Sequence, residues 1–210
     1  MNKRSIILLS GGIDSTVLLA KLNKEGHDLI ALSFSYGQKH EIELDYAKET
    51  VKKYEIKEHL ILELPKVSFS SSALINKNLN TTKYKAKKDI PISQVNSYVP
   101  YRNMIFLSFA LSVAENLDID KIFIGVNKDD ELNYWDCTAN FVEKVNILAS
   151  LNSKISIEAP FLNSTKREVI KLGNILDVNF NNTISCYNPI DKIECGRCLS
   201  CLVKKDALND

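Results

Sequence analysis

The fold is decided by the stretch SIILLSGGIDSTVLLAKL, which occupies residues 5–22 of this 210-residue chain. Its beginning, Ser5 to Leu9, has the composition of a short buried strand, and apolar residues then recur at helical spacing from Val17 to Leu22. A glycine-rich turn, Ser10 to Ser15, separates the two. This order predicts a parallel strand, a ligand-binding turn at its carboxyl end, and a crossover helix.

The same alternation continues along the chain. Further strands are predicted at residues 29–34, 59–64, 121–125 and 155–159, and further helices at 41–54, 104–116, 141–149 and 165–176. The last helix opens on Thr165 and Glu168, which match a capping box. Strands that alternate with helices indicate an α/β fold, here a doubly wound parallel sheet of about five strands.

Two segments break this rhythm. Residues 65–99 are rich in Ser, Asn, Thr and Lys, and so long an irregular stretch is typical of a lid or binding loop. A cysteine cluster follows the last predicted helix. We therefore predict an α/β domain over residues 1–180 and a small cysteine-rich element over residues 181–210.

Composition limits the class of protein. The 27 basic and 26 acidic residues leave a net charge of +1, which argues against a phosphate backbone as the main partner. No uncharged run reaches the roughly 18 apolar residues of a membrane helix. The basic start with the apolar residues 6–9 faintly suggests a secretory signal, but this stretch is too short and no small-residue cleavage site follows it. We expect a cytoplasmic protein that binds neither nucleic acid nor membrane.

The turn from Ser10 to Ser15, with the sequence SGGIDS, has the features of a phosphate-binding loop. Gly11 and Gly12 allow close approach of a phosphate chain, and the helix N-terminus offers free N–H groups. The hydroxyls of Ser10 and Ser15 add donors, while Asp14 could cap the helix or help to hold Mg²⁺. The Gly-Lys-Ser/Thr ending of a Walker A loop is absent. The alternative is an ordinary glycine turn.

The cysteine cluster has the spacing C-x8-C-x2-C-x2-C, formed by Cys186, Cys195, Cys198 and Cys201. Four thiolates at this density favour a closed tetrahedral zinc site of structural type. An iron–sulfur cluster and disulfides are the alternatives. The fifth cysteine, Cys137, is most simply a buried small apolar residue.

The SGGIDS string resembles the pyrophosphate loop of the N-type ATP pyrophosphatases, which adenylate a substrate oxygen. Together with the C-terminal cysteines, preceded by Ser-Cys-Tyr, it resembles the QueC family of 7-cyano-7-deazaguanine synthases. Further similar segments are SFSYGQKH at 33–40, VPYRNMIF at 99–106, GVN at 125–127, YWDC at 134–137 and STK at 164–166. These segments span most of the chain.

The resemblance implies an activity. ATP and Mg²⁺ would adenylate 7-carboxy-7-deazaguanine, ammonia would give the amide, and a second adenylation would lead to the nitrile. It also implies Zn²⁺ on the four cysteines and a homodimer. The residues it implies are Ser10, Gly11, Gly12, Asp14, Ser15 and Phe34 for ATP, Tyr36, Gln38, Arg102, Asn103, Tyr134 and Asp136 for the substrate, and Lys166, Arg102 and Asp14 for catalysis.

Each implied residue also has a local interpretation. Arg102 is one of four arginines in the chain and suits an anion, or else begins a helix on the surface. Lys166 lies in a first helical turn, where the helix dipole disfavours a cation, so a nearby anion is expected. An exposed lysine is the alternative. Tyr134 and Asp136 could bind a flat purine-like base, or merely cap a loop.

The chain departs from the family pattern at Ser35, where the family usually has Asp, and at Trp135, where it usually has Pro. Residues 138–141 have the sequence Thr-Ala-Asn-Phe, where the family usually has Arg-Pro-Glu-Phe. These changes surround the implied substrate loop. Two enzymatic alternatives therefore stay open, a ligase that joins a deazaguanine acid to another amine and another ATP pyrophosphatase. A zinc-bound scaffold is the alternative outside catalysis.

Overall fold

The computed structural model describes residues 4–39, 42–65, 71–190 and 193–208. Within these ranges the strands are β1 (Arg4–Leu8), β2 (Asp28–Ser35), β3 (Glu58–Glu63), β4 (Lys121–Phe123) and β5 (Ser156–Glu158). The α-helices are α1 (Ile13–Lys24), α2 (Ile42–Lys53), α3 (Arg102–Asn116), α4 (Ala139–Ala149), α5 (Lys166–Ile175) and α6 (Leu199–Leu208). The predicted helix start at residue 41 and the end of the 33–40 segment lie outside the described residues.

The five strands form one parallel sheet in the order β3-β2-β1-β4-β5. The doubly wound parallel sheet predicted from the sequence is therefore confirmed. Strands β2 and β3 are added on one side of β1, and β4 and β5 are added on its other side. This reversal makes the carboxyl end of β1 the switch point, where sheets of this type bind ligands.

Side chains from β1 alternate between two cores. Ile6 and Leu8 pack in the core that includes α3 and α4, whereas Ile7 and Leu9 pack in the core that includes α1 and α5. Such alternation follows from the two-residue period of a strand and places helices on both faces of the sheet.

The capping box predicted at the start of α5 is present. The Thr165 hydroxyl accepts a hydrogen bond from the Glu168 amide (3.3 Å), and the Glu168 carboxylate accepts one from the Thr165 amide (2.7 Å). These bonds satisfy amides that a helix start leaves unpaired, and they fix where α5 begins. Lys166, the first residue of α5, is positioned by this start.

The described part of the segment 65–99 is irregular but packed. Its apolar side chains Leu74, Ile75, Val95 and Val99 are buried in the core on the α3 side of the sheet. The Tyr84 amide also donates to the Arg197 carbonyl (2.9 Å), which ties the segment to the cysteine-rich region. This part of the segment is thus a packed wall of the molecule.

Helix α6 was not predicted from the sequence. Its apolar residues Leu199 and Val203 join the core beside α3, and Ala207 joins the core beside α1. The C-terminal element therefore packs on the α/β body, and its division at residue 180 stays a prediction. No helix in the described ranges is long and apolar enough to cross a membrane.

Candidate active site

The loop from Ser10 to Ser15 leaves β1 at the switch point and opens α1. The Ser15 hydroxyl accepts a hydrogen bond from the Ser10 amide (3.2 Å) and contacts the Ser10 hydroxyl (3.1 Å). The Ser10 hydroxyl in turn accepts one from the Gly12 amide (3.2 Å). No side chain caps the start of α1 at Gly12. The loop is thus held in shape while the first-turn amides of α1 stay available to an anion.

Gly11 is required by the packing behind this loop. Its φ is +80°, and a Cβ there would lie 2.3 Å from the Glu43 carbonyl oxygen and 2.8 Å from the Ala47 nitrogen. Any side chain would push the loop away from α2. The Ile184 amide also donates to the Gly11 carbonyl (3.1 Å), which fixes the loop from the C-terminal side. Gly11 thus supports the loop from behind, while Gly12 lines the pocket.

Lys166 is buried, and its ammonium forms an ion pair with the Asp14 carboxylate. Its backbone amide donates to the Asp129 carboxylate (2.7 Å). Burial disfavours the charged ammonium, but Asp14 and Asp130 outweigh burial and raise the pKa of Lys166. The exposed-lysine alternative is therefore wrong, and the anion beside Lys166 in this structure is Asp14.

Asp130 supplies a second carboxylate close to Lys166 and Asp14. Burial and the neighbouring Asp14 raise the pKa of Asp130 to about 6, although Lys166 opposes them. The Asn127 side-chain amide donates to it (2.7 Å). One oxygen of Asp14, Oδ1, is buried without a hydrogen-bond partner among the described residues. Two carboxylates with an unpaired oxygen form a donor set that fits Mg²⁺.

Arg102 and the segment after β2 form another part of the pocket wall. The Arg102 guanidinium, at the start of α3, forms a hydrogen bond with the Tyr36 hydroxyl. Burial raises the pKa of Tyr36, and the charge of Arg102 opposes it. Arg102 therefore points into the pocket, and the alternative of an exposed helix start is wrong.

An aromatic surface continues this wall. The rings of Phe34 and Phe106 are stacked with centroids 4.0 Å apart and planes 1° apart. Gln38 uses both ends of its amide on the turn, since it accepts from the Tyr36 amide (2.9 Å) and donates to the Phe34 carbonyl (3.2 Å). The side chains that line the pocket here are Phe34, Tyr36, Gln38 and Phe106. Gln38 holds the turn that carries Phe34 and Tyr36.

Three other predicted substrate residues are used differently. Asn103 lines the pocket, but Tyr134 and Asp136 do not. The Asp136 carboxylate accepts from the Asn103 amide (3.1 Å), so it caps α3 next to Arg102. The Tyr134 hydroxyl contacts Ser97 (2.9 Å) and Tyr187 (3.1 Å). Tyr134 and Asp136 thus contact residues of the pocket wall without lining the pocket themselves, and Asp136 caps the start of α3.

Several lining residues escaped the sequence interpretation, namely Glu43, Asp130, Ser185, Tyr187 and Ser200. Glu43 looks like an ordinary acidic residue in a first helical turn, and Asp130 lies in a charged run. Ser185 and Tyr187 belong to the Ser-Cys-Tyr string, which was the one sequence motif that could have marked them as site residues. Their convergence depends on how distant segments meet at the switch point.

The four cysteines of the C-terminal cluster come together as predicted. Their sulfur atoms all lie within 4.8 Å of one another, and none is in a disulfide. A single tetrahedral ion with bonds of about 2.3 Å needs sulfurs at roughly such separations. The backbone amides of Asn188 and Cys195 donate to the Cys186 sulfur (3.3 and 3.2 Å), which fixes the position of this sulfur in the cluster. The cluster suits one closed metal site, and Cys137 lies apart from it, buried in the pocket wall.

Comparison with known proteins agrees with the family resemblance of the sequence motifs. Residues 4–210 match the family described as "Queuosine biosynthesis protein QueC". A protein of Rickettsia rickettsii (strain Sheila Smith) named 7-cyano-7-deazaguanine synthase is 40% identical over 99% of this chain and 94% of its own length. A synthase of the same name from Rickettsia felis is 39% identical over 98% and 94%. The chain belongs to the QueC family.

Solved structures support the fold assigned to this QueC chain. NMN synthetase from Francisella tularensis matches with a TM-score of 0.50 and 18% identity, over 94% of this chain and 70% of that one. The NH3-dependent NAD synthetase from Campylobacter jejuni matches with a TM-score of 0.50 and 20% identity, over 86% and 66%. At such identities the likeness concerns the fold alone.

The departures from the QueC pattern lie outside the pocket. Trp135 is 43% exposed, donates from its ring nitrogen to the Tyr98 hydroxyl (2.6 Å) and packs edge-on against Phe141. The Thr138 hydroxyl accepts from the Phe141 amide (3.2 Å) and caps α4. Neither these residues nor Ser35 line the pocket. Ser35, Trp135 and Thr138 therefore do not contribute to the pocket lining.

Proposed function

We propose that this chain converts 7-carboxy-7-deazaguanine and ammonia into 7-cyano-7-deazaguanine, with ATP as the activating reagent. The observation that carries the proposal is a single pocket lined by the phosphate loop, Lys166 and Arg102. One side of this pocket suits a polyphosphate, and the other suits an acidic aromatic molecule. The 39–40% identical relatives are named for the same product, 7-cyano-7-deazaguanine, which supports the proposal.

On the phosphate side, the first-turn amides of α1 and the hydroxyls of Ser10 and Ser15 would bind the leaving pyrophosphate. Lys166, held in the pocket by Asp14, would stabilise the negative charge that develops as the bond between the α and β phosphates breaks. Asp14 and Asp130 would hold Mg²⁺, which neutralises polyphosphate charge when bound. No nucleophilic side chain is required, since the substrate carboxylate attacks the α-phosphorus.

On the acid side, Arg102 would hold the substrate carboxylate, because its planar guanidinium matches a carboxylate in geometry and charge. Phe34 would contact adenine, and Tyr36, Gln38 and Asn103 would border the deazaguanine. Tyr134 and Asp136 would support this wall from behind. Positioning of two anions so that oxygen and phosphorus meet is the main catalytic contribution.

Zn²⁺ on Cys186, Cys195, Cys198 and Cys201 would be structural, with no position open for chemistry. It would hold Tyr187 and Ser200 against the pocket and the Ile184 amide on the Gly11 carbonyl. Homodimer formation, a cytoplasmic location and the absence of a nucleic-acid partner stay predictions.

The adenylated acid would react with ammonia to give the amide and AMP. The amide oxygen would then be adenylated in its turn, and loss of AMP would leave the nitrile. No observation favours a different amine acceptor, because the departures at Trp135 and Thr138 lie outside the pocket. The scaffold alternative is disfavoured by a lysine that is buried beside the phosphate loop.

Isotope exchange between pyrophosphate and ATP tests the first step. Exchange should require 7-carboxy-7-deazaguanine and Mg²⁺ but not ammonia, since adenylation precedes amination. Exchange without any acid, or none with this acid, would contradict the proposal. 7-Deazaguanine, which differs from this acid only by the missing carboxylate, is the matched control.

A further inference from the structure

Glu43 lies in the first turn of α2 and lines the pocket beside Arg102 and Tyr36. Its carboxylate makes no hydrogen bond or ion pair with any residue in the described ranges. Of the other two acidic side chains that line the pocket within the described ranges, Asp14 pairs with Lys166 and Asp130 accepts from Asn127. In the part of the chain that the structure describes, Glu43 is therefore the lining carboxylate with no ion pair or hydrogen bond of its own, and it is available to a ligand.

The environment of Glu43 suits proton transfer. Burial raises the pKa of Glu43 to about 7, although the charge of Arg102 opposes this effect. The titratable groups that face it among the described residues are Arg102 on α3 and Tyr36 after β2. A general base works best when its pKa lies near the working pH, because enough of it is ionised and it still binds a proton well.

The proposed reaction needs a base at nitrogen in both of its later steps. When ammonia bonds to the adenylated carbonyl carbon, the nitrogen becomes positively charged and must lose a proton as AMP departs with the C–O electron pair. After the amide oxygen has displaced pyrophosphate from a second ATP, the amide nitrogen must lose both of its protons. The nitrile then forms as AMP departs with the second C–O electron pair.

We infer that Glu43 is the catalytic base that takes these protons from nitrogen and returns them to water. Lys166 is a cation paired with Asp14, and Arg102 remains charged, so neither can accept a proton. Asp136 is occupied by the start of α3. The inference rests on the proposed function, and it assigns to Glu43 the steps after adenylation.

Conversion of the amide to the nitrile needs no ammonia. It therefore tests proton removal by Glu43 separately from any role of Glu43 in binding ammonia. Purified protein is given the amide of 7-carboxy-7-deazaguanine with ATP and Mg²⁺ but without ammonia, and nitrile is followed by mass spectrometry. The variants are Glu43→Gln, which cannot accept the proton, and Glu43→Asp, which retains a carboxylate. Glu49→Gln is the matched control, because Glu49 is an exposed carboxylate on the same helix.

Glu43→Gln should lower the rate of nitrile formation by about 10²–10⁴-fold, the usual contribution of a general base. Acid-dependent ATP–pyrophosphate exchange should stay within about threefold of wild type, because adenylation precedes proton removal. Glu43→Asp should restore part of the rate, and Glu49→Gln should match wild type. The wild-type rate should rise as pH passes through about 7, and this rise should be absent in Glu43→Gln.

A Glu43→Gln variant that forms nitrile at the wild-type rate would overturn the inference and leave the proposed function intact. Equal loss of exchange and nitrile formation would overturn it too, since Glu43 would then bind substrate or support the fold. Absence of acid-dependent exchange in the wild type would instead contradict the proposed function, and the inference with it.

Discussion

The Lys166 ammonium is paired with the Asp14 carboxylate, although 152 positions separate the two residues in the chain. This pair joins the start of α5 to the first turn of α1, beside the loop from Ser10 to Ser15. The capping box at Thr165 fixes one side of the contact, and the sheet switch point fixes the other. A cation is thereby held where a polyphosphate would lie.

Replacement of Lys166 by Met should affect both stability and activity. The change leaves Asp14 and Asp130 without their cation, so the free energy of unfolding should fall by about 3 kcal/mol in urea titrations. Acid-dependent exchange should fall roughly 100-fold, the effect of losing one group that stabilises the transition state. Lys171→Met, an exposed change on the same helix, should leave both quantities unchanged. Full exchange activity in Lys166→Met would refute the phosphate role.

Gly11 and Gly26 form a matched pair for testing the loop. Both have φ of +80°, but a Cβ would meet the Glu43 carbonyl at Gly11 and nothing within 4 Å at Gly26. Gly26→Ala should therefore cost about 1 kcal/mol, the penalty of the backbone conformation alone. Gly11→Ala should cost clearly more and weaken ATP binding, as measured by urea unfolding and calorimetry. Equal costs at the two positions would contradict the packing described for Gly11.

Metal content tests the cysteine cluster. Purified protein should contain one zinc per chain, and Cys198→Ser should lose it. Cys137→Ser should keep the zinc, because Cys137 lies outside the cluster. Removal of the metal should also weaken ATP binding, since Ile184 and Tyr187 connect the cluster to the loop and the pocket. Iron in place of zinc would show that the assignment is wrong.

Glu43 should make stability depend on pH. Its folded-state pKa is raised to about 7, so its favourable contribution is fully present below the unfolded pKa near 4.5 and is lost as pH rises through about 7. Wild type should thus lose stability relative to Glu43→Gln between about pH 5 and pH 8, by up to about 3 kcal/mol. Urea titrations of both proteins across this range measure it, and a constant difference would contradict the burial of the carboxylate.

The elements of the fold could be predicted from local signals. The strand–loop–helix at residues 5–22, the alternation of periods and the capping box at Thr165 each depend on neighbouring residues. The cysteine spacing likewise predicted the cluster. Helix α6 escaped prediction although Leu199, Leu202, Val203 and Ala207 recur at helical spacing, because the cysteine spacing that includes Cys201 dominates this segment.

The site was predictable only where a motif marked it. Arg102 and Lys166 stood out as charged residues at helix starts, and both line the pocket. Glu43 carried no such mark, because its half-buried place in the pocket wall arises where segments distant in the sequence meet. Tyr134 and Asp136 show the opposite case, since their loop was identified but the direction of each side chain depends on Ser97, Asn103 and Tyr187.

The most direct test of the account is product analysis with isotopic ammonia. Wild-type protein is incubated with ATP, Mg²⁺, 7-carboxy-7-deazaguanine and ¹⁵N-ammonium, and all products are resolved by mass spectrometry. The account predicts a nitrile that carries one ¹⁵N, with two AMP formed for each nitrile. A conjugate with another amine, an amide that accumulates as the final product, or no AMP would contradict it.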